Sequence, residues 1–314
     1  MNFTKWCCAA LFALPFFAAC NDDDTTDPNT RATARFELTD APADDAEVEA
    51  VFVTVVGVRV DGLTTATKTT VDLLTLQNGT TQTLGEVTLA ADTYTQLELL
   101  LDYETDADGN TPGCYVVTTD GTRHQLEASG EALLTTTGEF DLEAGATKTI
   151  VIDFDVRRAL ARDEQNADDR YDFVTTAELN SALRFVNKDE SGRVEGTLAG
   201  NGFEGDKTIV YAYRRGQFDQ ETEVAGQGSS DVRFANATTS AQVRTDGSYE
   251  LNFLEPGAYE LHYFTYSDDD NDGRFELAGQ LQVNALLGLN LLGVDLTAGA
   301  EVTANVTAIG ILPL

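Results

Sequence analysis

From Ala34 onward apolar and polar residues alternate with period two, and a chain that alternates in this way along most of its length is built from strands half-buried in sheets. Ala34, Phe36 and Leu38 alternate with Arg35, Glu37 and Thr39. In EVEAVFVTVVGVRV the spacing predicts Val48, Ala50, Phe52, Val56, Val58 and Val60 on one face. The other face carries Glu47, Glu49 and Arg59 at its ends and valines between, so the middle is covered on both sides, as in a sandwich core. TYTQLELLLDY sends Leu97, Leu99, Leu101 and Tyr103 inward, and KTIVIDFDV does the same with Ile150, Ile152, Phe154 and Val156. That phase leaves Asp153 and Asp155 facing solvent. Asn78-Gly79 and Asp120-Gly121 are turn dipeptides, and only VRRALARDEQ reads as helix.

A polar cluster at Asn187 to Gly192 divides this texture from a second one. Beyond it, GRVEGTL presents Val194, Gly196 and Leu198, and TIVYAYRR presents Ile209, Tyr211 and Tyr213. TDGSYELNFLEPGAYELHYFTY reads as two strands joined at Pro256-Gly257. EVTANVTAIG lines Val302, Ala304, Val306 and Ala308 along one face, while LQVNALLGLNLLGVDL is open between strand, loop and helix. The expected fold is all-β, two consecutive β-sandwiches over 33–188 and 189–314, and the 314-residue chain is long enough for two cores.

The first residues set the address. Lys5 precedes an apolar run from Trp6 to Phe17 that falls short of the roughly 20 residues of a membrane span, so 1–19 read as a signal peptide. Ala18 and Ala19 before Cys20 resemble the lipobox of bacterial lipoproteins, which implies a lipid on Cys20 and the membrane as a partner through that anchor. The acidic run from Asn21 to Asp24 resembles the export signal of Bacteroidota surface lipoproteins. It implies the outer membrane with the protein exposed at the cell surface; the alternative is a periplasm-facing anchor. Residues 20–32 form an acidic tether. With 53 Asp and Glu against 20 Lys and Arg and a net charge of −33, nucleic acid is excluded as a partner, while cations and cationic partners stay open. Cys114 is left without a second cysteine to bridge, and His124 and His262, far apart, read as surface strand residues that argue against zinc.

Thr39-Asp40-Ala41-Pro42, LQNG at Leu76 to Gly79, the strand start Thr93 to Leu97, and DFDVRR at Asp153 to Arg158 together resemble the domain of unknown function 4382 family over about 33–188. The GRVEG opening and DGSYELNFLEPGAYEL hairpin of 189–314 resemble the carboxypeptidase regulatory-like, prealbumin-type β-sandwich, which implies a spacer or binding module without catalysis.

The sharpest chemical motif is SDDDNDGRFE. Asp268, Asp270 and Asp272 stand two apart before Gly273, with Glu276 following, a spacing that lets alternate carboxylates of a turn converge on calcium. Glu104, Asp106 and Asp108 before Gly109 form a second, sparser calcium candidate. The alternative for both is a solvated turn. There is no GxSxG elbow, no Cys-His pairing and no P-loop, and the only tryptophan, Trp6, lies in the leader. These features predict a non-catalytic outer-membrane lipoprotein acting as a binding or structural module, calcium its one candidate cofactor. Two other readings stay open. A glycan- or protein-binding accessory of a surface uptake or adhesion system would be supported by an exposed tyrosine cluster, and a carboxylate-based hydrolase would need several acids in one concave site.

Overall fold

The alternating segments pair into two groups of sheets that part at the turn after Asn187. The computed structural model describes residues 30–42, 47–128, 132–162, 171–200, 207–269, 275–285 and 293–314. The leader, Cys20, most of the tether, and Asp270 and Asp272 lie outside the described residues.

In the first group, a four-stranded sheet runs in the order Leu183–Asn187, Thr147–Phe154, Arg31–Thr39, Gln82–Ala90. Arg31–Thr39 pairs parallel with Thr147–Phe154 and antiparallel with Gln82–Ala90. A second sheet, centred on Val48–Val60, carries Tyr115–Thr118 and Thr93–Leu101 as neighbours, and Leu133–Asp141 beyond the latter. The two sheets share one core, in which Phe36, Leu38, Ile150, Ile152 and Phe154 meet Leu97, Leu99 and Val53.

The inward faces of Arg31–Thr39 and Thr93–Leu101 follow the alternation, but Val48–Val60 does not. Its fully buried valines are Val51, Val53 and Val55, then Val58 and Val60, with Thr54 buried between them, while Ala50, Phe52 and Val56 are half-buried. The register slips between Val48 and Ala50 and again between Val55 and Gly57. Each bulge sets two residues against one and inverts the phase that a strict period of two predicts.

The helix expected from VRRALARDEQ is a single turn, Val156–Ala159, after which Leu160–Arg162 is extended and pairs with Tyr171–Phe173. Two other short helices form instead. Thr176–Ser181 opens with a capping box between Thr175 and Glu178, and Gln220–Ala225 is capped by the Asp219 carboxylate, which accepts from Thr222 N.

The second group is one curled sheet in the order Thr239–Gln242, Lys207–Arg214, Gly257–Ser267, Glu276–Ala285, Val306–Leu312, Gly192–Ala199, Ser248–Leu254. Ser248–Leu254 and Gly257–Ser267 are not the hairpin that the Pro256-Gly257 link suggests. The first pairs with Gly192–Ala199 and the second with Lys207–Arg214, so the link turns a corner and the two strands face each other across the core. Tyr249 and Tyr263 meet there, hydroxyl to hydroxyl at 2.7 Å. Lys207–Arg214 is buried on both faces, because the segment carrying Phe234 packs on its outer side against Tyr211 and Phe264. Glu223, on the helix of that segment, is 1% exposed and accepts from the Tyr213 hydroxyl at 2.9 Å.

Both histidines are buried rather than on the surface. His124 packs its ring edge on Tyr171, and His262 stacks on Phe218 at 3.7 Å while Gln280 Nε2 lies 3.1 Å from its Nδ1. His262 keeps that ring nitrogen partnered on burial, whereas His124 Nδ1 is buried with no hydrogen-bond partner among the described residues.

Candidate functional site

Three of the motifs singled out in the sequence converge where the two groups of sheets touch. Thr39 Oγ1 donates to the carbonyls of Leu76 and Thr80, each at 2.9 Å, which ties TDAP to LQNG. Asp40 Oδ1 accepts from Val156 N at 3.0 Å, which ties TDAP to DFDVRR. Asn78 and Gly79 both take positive φ, and a Cβ at Gly79 would lie 3.1 Å from Asn252 of the second domain.

Asp153 and Asp155, expected on the solvent face, are each 5% exposed. The face they occupy is covered by the second domain, and each is matched there by an arginine. Asp153 pairs with Arg184 at 2.6 Å, and Arg184 Nη1 donates on to the Phe253 carbonyl at 2.6 Å. Asp155 pairs with Arg157 at 2.7 Å. Arg157 Nη1 donates to the carbonyls of Arg233 at 2.6 Å and Phe234 at 3.1 Å, with its guanidinium 5.3 Å from the centre of the Tyr211 ring. Each acid of the first domain thus holds an arginine that grips backbone of the second. Val232 adds an apolar contact against the first core.

Burial dominates the electrostatics of this junction. It pushes the Asp40 carboxyl well above the usual carboxylate range, and the charges of Asp155 and Asp153 push the same way. It also raises Asp153, against the pull of Arg184, and lowers Arg158. Such shifts can mark reactive groups. Asp153, whose carboxyl is raised, is at the same time held by Arg184 at 2.6 Å.

Glu178 makes a further contact between the domains. Its Oε1 accepts from Ser229 N at 2.6 Å and Ser230 N at 3.0 Å, and its Oε2 from Ser230 Oγ at 2.8 Å and Thr175 Oγ1 at 2.6 Å. Burial alone raises this carboxyl, but the hydrogen bonds from Thr175, Ser230 and Ser229 outweigh it and bring the pKa from 4.5 to about 2. A depressed pKa contributes stability above the unfolded value that is lost as pH falls. Glu178→Gln is therefore expected to flatten the fall in melting temperature between pH 4.5 and about 2. An acid limb identical to that of the unsubstituted protein would remove Glu178 from this role.

The calcium candidates lie elsewhere. Asp268 and Glu276 stand at the two ends of the connection between Gly257–Ser267 and Glu276–Ala285, whose ladder closes with Ser267 opposite Glu276. Asp270 and Asp272 fall outside the described residues. In the other loop, Asp106 accepts from Asp108 N at 2.9 Å, Asn110 N at 2.7 Å and Asn110 Nδ2 at 2.9 Å, so its carboxylate closes the turn on itself. Glu104, Asp106 and Asp108 are not brought together, and no group of three or more His, Cys, Asp or Glu placed to hold a metal occurs among the described residues. Each of the ten tyrosines is buried or half-buried, so none forms an exposed stacking platform.

Among solved structures, the chain is similar to the Bacillus anthracis TIE protein at 10% identity, covering 88% of this chain and 34% of that one with a TM-score of 0.20. It is similar to a leucine-rich repeat protein from Bacteroides thetaiotaomicron at 12% identity, 90% and 26% coverage and TM-score 0.22. It is similar also to GBS52, the minor pilin of Streptococcus agalactiae, at 10% identity, 90% and 98% coverage and TM-score 0.19. The chain spans about a third and a quarter of the length of the first two, and similarity this low carries no argument about its role. No curated protein matches the sequence. Residues 31–173, which supply Asp40, Asp153, Asp155 and Arg157, match the model of the family described as Domain of unknown function (DUF4382).

Proposed function

We propose that the protein is a non-catalytic lipoprotein of the outer membrane, held by a lipid on Cys20 and displaying two joined β-sandwiches as a structural or binding module at the cell surface. The observation that supports the reading is the junction: Asp153 and Asp155, which the alternation assigns to solvent, are buried and paired with arginines that hold the neighbouring domain. The buried and half-buried tyrosines favour a structural or protein-binding role over a glycan platform built on stacked rings. Calcium on the loop from Asp268 through Asp270 and Asp272 to Glu276 would stiffen the second domain, since it neutralises carboxylates that repel within one strand connection.

The anchor is tested at Cys20. Cys20→Ser is expected to abolish labelling by a fatty-acid analogue and to move the protein from the membrane to the soluble fraction. Protease added to intact cells is expected to degrade the unsubstituted protein. Persistent labelling of the variant would sink the lipid anchor, and full protection would place the protein facing the periplasm.

A further inference from the structure

Between the two domains lies a cavity of about 20 Å³, walled by Asp40 and Gly79 of the first domain and by Ser240, Glu250 and Asn252 of the second. That is room for one ion or one water. Three buried atoms of residues in this wall have no hydrogen-bond partner: Asp40 Oδ2, Ser240 Oγ and Asn252 Nδ2. Asp40 is only 7% exposed and Ser240 5%. Asp40 also forms no ion pair among the described residues, because Arg157 and Arg184 turn to Asp155 and Asp153. Its sole hydrogen bond from the second half of its domain is the Val156 amide on Oδ1, which leaves the other oxygen for the cavity.

A single water would meet the hydrogen-bonding needs of this wall around a protonated Asp40, the form that burial favours. A hard cation would satisfy the same atoms and, by displacing that proton, hold Asp40 as a carboxylate. Turning the Asn252 amide by half a revolution exchanges its nitrogen for its oxygen at no steric cost. The wall then offers carboxylate, hydroxyl and amide oxygens, the donor types that calcium takes in irregular number and with water completing the shell. We propose that this cavity binds a calcium ion that bridges the two domains, with Asp40 and Ser240 as ligands from either side and Asn252 and Glu250 as oxygen donors beside them. The ion would act as a second clasp next to the arginines.

The test is a calcium titration of the full chain carrying Asp270→Asn and Asp272→Asn, which removes the strand-connecting loop as a site, at constant ionic strength. Thermal unfolding is expected to rise by about 5 °C or more at a hundredfold excess over Kd. Magnesium, which demands a stricter octahedron, is expected to do less. Asp40→Asn in the same background should lose the shift, and Ser240→Ala, which changes the wall by one oxygen, should reduce it. If Asp40→Asn does not fold, Ser240→Ala decides. A melting temperature unmoved by calcium in the loop variant, or moved equally with and without Asp40→Asn, overturns the site. A response present in the unsubstituted chain but absent from the loop variant would assign the calcium to Asp268 through Glu276 instead.

Discussion

Asp155→Ala is expected to lower the unfolding free energy by about 3–5 kcal/mol, because it removes one half of a buried ion pair. The Arg157 side chain is 1% exposed. Its hydrogen bonds to the Arg233 and Phe234 carbonyls satisfy donors but do not neutralise charge. At about 2–4 °C per kcal/mol for a chain of this size, the melting temperature should fall by roughly 6–20 °C. Replacing both residues together, Asp155→Leu with Arg157→Met, should recover most of the loss, since an apolar pair of similar volume often matches a buried ion pair. By contrast, Arg215 and Asp295 form a pair at 2.9 Å with side chains 46% and 74% exposed, and Arg215→Ala should stay within about 0.5 kcal/mol. A loss below about 1 kcal/mol for Asp155→Ala would mean that the pair is not buried in solution.

Gly196→Ala is expected to cost about 3 kcal/mol, at the upper end of overpacking. A Cβ at Gly196 would lie 2.1 Å from the Ala304 carbonyl oxygen and 2.6 Å from the Tyr249 hydroxyl. Neither neighbour can give way freely. The Tyr249 hydroxyl donates to that same carbonyl, and Ala304 N donates to the Glu195 carbonyl at 2.7 Å. The GRVEG opening thus has a packing reason for its second glycine: the strand Gly192–Ala199 and the chain around Ala304 touch backbone to backbone there. Chemical denaturation measures the cost. A loss under about 1 kcal/mol would contradict this approach.

Most inward faces were legible because the alternation of residues such as Leu97, Leu99 and Leu101 or Ile150, Ile152 and Phe154 records burial directly. The bulges in Val48–Val60 were not, since a run of valines hides the position at which the phase inverts. Two helices could have been read: Thr175 with Glu178 three residues on, and Asp219 ahead of Gln220, are capping signals that short length made easy to pass over. The junction was half legible. Its motifs were visible as sequence, but the burial of Asp153 and Asp155 depends on a second domain lying over a strand face that alternation assigns to solvent. Arg184 carries no local signal at all, because its partners, Asp153 and the Phe253 carbonyl, are distant in sequence. The same holds for Asp40, which reads as a turn residue beside Pro42 and becomes a buried carboxylate only when LQNG and DFDVRR close around it.

The central claim is that paired acids and arginines lock the two sandwiches together at a short turn. Residues 188–191 connect Leu183–Asn187 to Gly192–Ala199, with Lys188 paired to Glu37 at 2.5 Å and Ser191 N donating to the Asn187 carbonyl at 3.0 Å. Limited trypsin digestion of the full chain, followed at Lys188 and Arg193, tests the lock most directly. The unsubstituted protein should resist cleavage there at protease levels that cut the Asp155→Ala, Arg184→Ala double variant into two β-rich fragments. Equal cleavage of both proteins at that turn would contradict the account.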